Sequence, residues 1–297
     1  MDFSVLMKFL ANNFIFSSTV IIISFVLGWL LYDKVVTRGI CLRHSLFEKD
    51  NLAAWVEFIG AFIFPTLFLA AKSIEGSVGE TLFMDLLICI TYVLAYTSAF
   101  TILRMISGSV VKLIDSGDHE GKITLNNEVY SQGNTAAALY SVALSTIFVS
   151  MIKFLDVLPG FFLVSVYKML VILVFSLVAY VAYSLVMRRK STLFKEIFID
   201  NNVAAGICFA GFMFAVETML SGAAVLQAEF DLFELAAVCL VSLILFGVLA
   251  AVFKWIFSAL IKADMWKEVY EQNNIGAAIG QVALYIGIAN VIIHFMK

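Results

Sequence analysis

Five stretches of this chain run without a single Asp, Glu, Lys or Arg: 9–32, 129–152, 169–187, 235–253 and 272–296. A helix needs roughly 20 apolar residues to cross the hydrocarbon core of a bilayer, so each stretch has the length of a membrane span. The chain is 62% hydrophobic and 14% charged, against about 25% charged in a soluble domain. A larger soluble core cannot account for the shortfall, because a globular surface still has to meet water. Backbone groups in lipid must pair internally, which leaves helices or closed barrels. Barrel strands alternate apolar and polar residues, whereas these runs are apolar all round. The expected fold is an all-α integral membrane protein of about eight transmembrane helices, near 13–32, 51–71, 82–104, 134–152, 160–187, 202–225, 233–257 and 274–295.

Basic residues are divided unevenly between the two sides. The odd loops hold Lys34, Arg38, Arg43 and Lys49, then Lys112 and Lys122, then Arg188, Arg189, Lys190 and Lys195, then Lys262 and Lys267, with Arg104 and Lys254 at adjoining helix ends. The opposite side has Lys8, Lys72, Lys153 and Lys297. Lys and Arg accumulate in cytoplasmic loops, so the odd loops are expected in the cytoplasm and both termini outside. Met1-Asp2-Phe3 lacks a basic n-region, and no cleavable signal peptide is expected.

An internal repeat marks the even helices. Each opens with Asn-x-small-Ala: Asn51-Leu52-Ala53-Ala54, Asn134-Thr135-Ala136-Ala137, Asn202-Val203-Ala204-Ala205 and Asn274-Ile275-Gly276-Ala277. Asn is a strong N-cap because its side-chain oxygen accepts an orphan backbone N–H. Glu128-Val129-Tyr130 before the second copy matches Glu268-Val269-Tyr270 before the fourth, and Asp50-Asn51 matches Asp200-Asn201. Glu80 and Asp85 at the third helix match Glu229 and Glu234 at the seventh. The pattern reads as two parallel four-helix repeats, 1–152 and 153–297, each made of two helical hairpins.

Positions +2, +6, +9 and +13 after each Asn share one side of a helix. They are Gly276, Gly280, Ala283 and Gly287 in the eighth helix, and Ala204, Cys208, Gly211 and Ala215 in the sixth. In the second they are Ala53, Glu57, Gly60 and Phe64, and in the fourth Ala136, Tyr140, Ala143 and Ile147. Small faces let helix backbones approach closely. The even helices are therefore expected to pack inward, against each other or against the odd helices.

An Asn-x-Ala-Ala motif with a small residue nine positions after Asn resembles the YjfL-like bacterial inner-membrane family, whose domain of unknown function is numbered 350. Gly60 and Gly211 keep that family's glycine, and Ala143 and Ala283 replace it. The resemblance implies four-helix units with two Asn motifs each, here two copies in tandem, and a bacterial inner-membrane location. It implies no activity, and so no catalytic residues.

Charged groups inside spans are costly and functional by default. Glu57 lies on the small-residue face about 9 Å along the helix from Asn51, and is the first candidate for a proton or ion site; its alternative reading is a structural carboxylate bonded to a neighbouring helix or to water at the cytoplasmic mouth. Glu217, fifteen residues after Asn202, is the second, but it falls off the small-residue face towards the outer leaflet and reads first as an interfacial carboxylate. Arg104 and Lys254 are expected to snorkel to the surface. Pro65 is expected to kink the second helix and free a backbone carbonyl.

The three histidines and four cysteines show no metal-ligand spacing, no nucleophile–base grouping or phosphate-binding loop is present, and no basic stripe suggests nucleic acid. No metal, cofactor or enzymatic activity is expected. Two functions fit: a small-solute or ion transporter or channel, or a membrane scaffold. Its partners would be the lipid bilayer, with either a further copy of the chain or a cytoplasmic protein.

Overall fold

The computed structural model describes residues 3–75, 82–114, 123–152, 154, 162–187, 191–226 and 232–296. Lys122, Lys153, Arg188, Arg189, Lys190, Lys297, Glu80 and Glu229 lie outside the described residues. Among the described residues the chain is all-α, and eight helices are long and apolar enough to cross a membrane. They comprise α1 (Phe3–Leu31), α2 (Leu52–Phe58) continuing as α3 (Phe64–Glu75), α4 (Leu82–Ile114), α5 (Thr135–Ile152), α6 (Phe162–Met187), α7 (Val203–Leu226), α8 (Leu232–Ile261) and α9 (Ile275–Met296).

The break between α2 and α3 is a π-helical segment, Ile59–Ile63, just before Pro65. Proline lacks the N–H that would bond the carbonyl four residues back. That carbonyl, on Ala61, accepts instead from the Tyr96 hydroxyl. Gly60 O accepts from Ser145 Oγ at 3.2 Å. Neighbouring helices thus take up the backbone groups that the break releases, as lipid-embedded backbone requires.

One local structure occurs four times. A π-helical turn (His44–Glu48, Asn127–Ser131, Lys195–Ile199, Lys267–Glu271) precedes each Asn-headed helix. A residue with positive φ follows: Asp50 (49°), Gly133 (70°), Asn201 (46°) and Asn273 (52°). Asn and Asp tolerate this left-handed region better than other side chains, and glycine occupies it freely. The capping Asn then donates its backbone N–H back across the turn, to Ser45 O, Glu128 O, Glu196 O and Glu268 O at 2.8–3.2 Å. Its side-chain oxygen accepts from the N–H three residues on: Ala54 (3.1 Å), Ala137 (2.9 Å), Ala205 (2.9 Å) and Ala277 (3.1 Å).

The Asn-headed helices lie side by side in one row, in the order α2, α5, α7, α9. The remaining helices pack around it, with α1 and α4 against the α2–α3 and α5 end, α6 against α5 and α7, and α8 against α7 and α9. Within the row the small-residue faces are seams. A Cβ on Gly60 would fall 2.4 Å from Val142 Cγ2, and one on Gly211 would fall 2.2 Å from Val282 Cγ2. A Cβ on Gly206 would meet the Ala136 backbone at 3.0 Å. Ala53, Ala136, Ala143 and Ala204 are buried.

The inward packing expected of all four small faces fails at α9. Gly276, Ala283 and Gly287 are exposed, and a Cβ on Gly280 or Gly287 would meet nothing within 4 Å. The physical reason is position: α9 ends the row, and among the described residues no fifth helix covers its far face.

Candidate functional site

Polar groups inside the bundle fall into three sets. The first holds the row together at its capped end. Each internal Asn amide donates twofold or more: Asn134 Nδ2 to Glu128 Oε2 (3.2 Å) and Ile197 O (2.9 Å), and Asn202 Nδ2 to Glu196 Oε2 (2.7 Å), Tyr270 O (3.1 Å) and Val269 O (3.2 Å). Asn51 Nδ2 donates to Val129 O at 2.8 Å. Each of these amides therefore reaches the π turn of the next motif along the row. The residue before the cap reaches the other way. Asn201 Oδ1 accepts from Ala136 N (3.2 Å), and Asn273 Oδ1 from Ala204 N (2.9 Å). Asn274 bonds only within its own motif among the described residues, to Glu268 and Ala277. Glu196 takes part with Glu128 and Glu268, although only the latter two stand in a matching sequence run. The signal that finds it is the acid six residues before Asn in three of the four motifs. Burial raises the Glu128 carboxyl above its usual range, while hydrogen bonds from Asn134 and Asn127 oppose the shift.

The second set surrounds Glu57. Its carboxylate is fully buried and faces Arg104 Nη2, 3.1 Å from each oxygen. Arg104 does not snorkel to the surface: it is buried on α4, with its guanidinium 5.8 Å from the Tyr130 ring centroid. The carboxylate of α2 and the apolar surroundings favour the inward rotamer, because neutralising Glu57 offsets the cost of leaving it alone in low dielectric. The Tyr130 hydroxyl lies 3.1 Å from that of Tyr32, and burial keeps the Tyr130 phenol protonated. A related tyrosine pair, Tyr183 and Tyr270 (2.7 Å), sits beside α7. Cys208 occupies on α7 the place of Glu57 on α2, so that pair has no carboxylate at this position. Glu57 is thus a clamp joining α2 to α4, closed by its cation.

The third set surrounds Glu217 on α7, which lies about 22 Å along the helix from Asn202. It is 2% exposed, and neither carboxylate oxygen accepts a hydrogen bond among the described residues. Ser150 of α5 and Ser176 of α6 neighbour it, and the Ser176 hydroxyl donates to Ile172 O at 2.8 Å. Cys239 of α8 neighbours the same carboxylate. Four helices therefore enclose one acid that has no cation facing it among these neighbours. Glu57 and Glu217 lie on different helices of the row and form separate sites.

Residues 153–296 match the family model described as Domain of Unknown Function (DUF350). The DUF350 match takes in α6 to α9, both of their Asn-headed motifs and Glu217 with its neighbours Ser176 and Cys239, but not Ser150 of α5. Glu57, Arg104 and the first two motifs lie outside it. Among curated proteins and among solved structures nothing matches the chain.

Proposed function

We propose that this protein carries protons or small cations across a membrane, with Glu217 as the group that binds them. The observation that carries this reading is a fully buried carboxylate within a span whose two oxygens accept no hydrogen bond among the described residues. Such a group costs several kcal/mol in a purely structural role. Binding a proton or a dehydrated cation removes that cost, and the Ser150 and Ser176 hydroxyls supply two further oxygens within reach. Glu57 is a poorer carrier, because Arg104 already satisfies its charge.

The reading extends to the rest of the chain. The first half is a diverged second copy of the DUF350 unit, so that 1–152 and 153–297 are tandem repeats of YjfL-like type. The equivalence of the Tyr32–Tyr130 pair to the Tyr183–Tyr270 pair supports this, as do the four capped turns. The resemblance to the YjfL-like family supports a bacterial inner membrane, and the basic odd loops support both termini on the non-cytoplasmic side. No enzymatic reaction is proposed.

The test is reconstitution in vesicles enclosing a pH-sensitive dye, with a potassium diffusion potential as the driving force. Wild type is expected to pass protons, or a monovalent cation supplied outside, and Glu217→Gln to slow this at least tenfold. Equal flux in Glu217→Gln and wild type would rule out the carrier role. A scaffold is the second reading, favoured by the unpacked face of α9.

A further inference from the structure

The row α2–α5–α7–α9 has two unlike ends, and each carries half of the contact that its internal members complete. At the α9 end, Asn274 makes no bond to a following motif among the described residues, and Gly276, Ala283 and Gly287 are exposed. At the α2 end, Asp50 holds the left-handed conformation of Asn201 and Asn273, and its side chain is exposed. Phe47 is 62% exposed, whereas its counterparts Tyr130, Phe198 and Tyr270 are 2–7% exposed. Ile59 is 46% exposed at the position where Val142 and Val282 fill the seams over Gly60 and Gly211.

We infer that the row continues from one chain into the next, with the α2 end of a second copy seated on the α9 face of the first. The register follows from the internal junctions. The second copy's Asp50 carboxylate accepts from Gly276 N–H, as Asn201 accepts from Ala136 and Asn273 from Ala204. An acid suits that place, because it faces the positive end of α9. Asn274 Nδ2 donates to Leu46 O of the second copy, as the other three Asn amides donate to Val129, Ile197 and Val269. Ile59 covers Ala283, as Val142 covers Gly60. The contact is heterologous, so it yields a closed ring or an open array. It stands on the ends of the row and is independent of Glu217.

Cysteine pairing tests it on the full chain in native membranes, in a Cys41→Ser background that removes the exposed natural thiol. Asp50 and Gly276 stand three helix spacings apart, each about 8–10 Å, so a bridge between them must join two chains. Asp50→Cys with Gly276→Cys is expected to give a ladder of cross-linked species on mild oxidation, and either substitution alone is expected to give none. Ala283→Trp, which places a bulky group on an exposed position, is expected to reduce the ladder at least tenfold while leaving the thermal unfolding midpoint unchanged. Mass measurement in detergent is expected to show several copies for wild type and one for Ala283→Trp. A double-cysteine chain that stays monomeric overturns the inference, with lipid then covering α9. Equal cross-linking by single variants overturns it too, since that marks a two-fold symmetric contact.

Discussion

Gly211 meets Val282 with no room between them: a Cβ on Gly211 would fall 2.2 Å from Val282 Cγ2 and 2.8 Å from its Cβ. The seam between α7 and α9 therefore depends on the missing side chain. Gly211→Ala is expected to destabilise the protein by about 1–3 kcal/mol, the usual range for overpacking. Gly280→Ala, on the open side of α9, is expected to be neutral or slightly stabilising, since alanine is the better helix former. Unfolding midpoints in detergent compare the two. Equal losses would show that the seam is not the source.

The capping asparagines should differ in the same way. Asn202 is buried and bonds Ala205, Glu196 and the carbonyls of the next motif. Asn274 is exposed and bonds only Ala277 and Glu268 among the described residues. An exposed cap contributes about 1 kcal/mol, and leaving buried partners unsatisfied adds about 1–3 kcal/mol more. In isolated chains Asn202→Ala is expected to cost clearly more than Asn274→Ala. Denaturant titrations of the two variants measure the gap.

The Glu57–Arg104 pair calls for a double-mutant comparison. Glu57→Gln leaves a buried guanidinium without its carboxylate, and loss of one partner of a buried pair costs about 3–5 kcal/mol. Glu57→Gln with Arg104→Met removes both charges and is expected to recover most of that loss. Additive losses in unfolding free energy would mean that the two side chains act independently.

Glu128 should impose a pH dependence. Burial raises its pKa in the folded state, so the folded protein holds the proton more tightly than the unfolded chain. The stability this confers is complete below the ordinary carboxylate pKa of about 4.3 and is lost as pH rises through the folded value. Glu128→Gln is expected to flatten stability over that window, measured by unfolding from about pH 4 upwards. An unchanged slope would assign the dependence to other groups.

Five of the eight spans were legible from charge-free length alone, and the other three from apolar runs broken by one or two charges, because lipid leaves so few alternatives for a backbone. The four Asn motifs were legible too, since capping is local and written in adjacent residues. Which side chain Glu57 pairs with was not. Its partner Arg104 lies forty-seven positions away on α4, and no periodicity links the two, so the arginine read as a snorkelling helix end. The small face of α9 misled for a related reason. Gly276, Gly280 and Gly287 repeat the pattern of the other helices, but whether a face is covered depends on where its helix stands in the row. Glu196 was missed because its flanking residues differ from those of Glu128 and Glu268, although its spacing to Asn is the same.

Glu217 gives the sharpest stability test of a functional reading. A buried polar group without a compensating hydrogen bond costs about 1–3 kcal/mol by mutational measures. Glu217 has no hydrogen bond to either oxygen among the described residues, and apolar neighbours Val216, Met213 and Leu220 are buried around it on α7. Replacing it by the similarly sized Met removes the polar atoms without opening a cavity. Glu217→Met is therefore expected to raise the unfolding midpoint while abolishing flux, the exchange expected where a site is kept at the expense of stability. If the carboxylate instead serves packing, Glu217→Met will lower the midpoint and flux will fall only with the amount of folded protein. Measuring both quantities on the same preparation separates a binding group from a structural one.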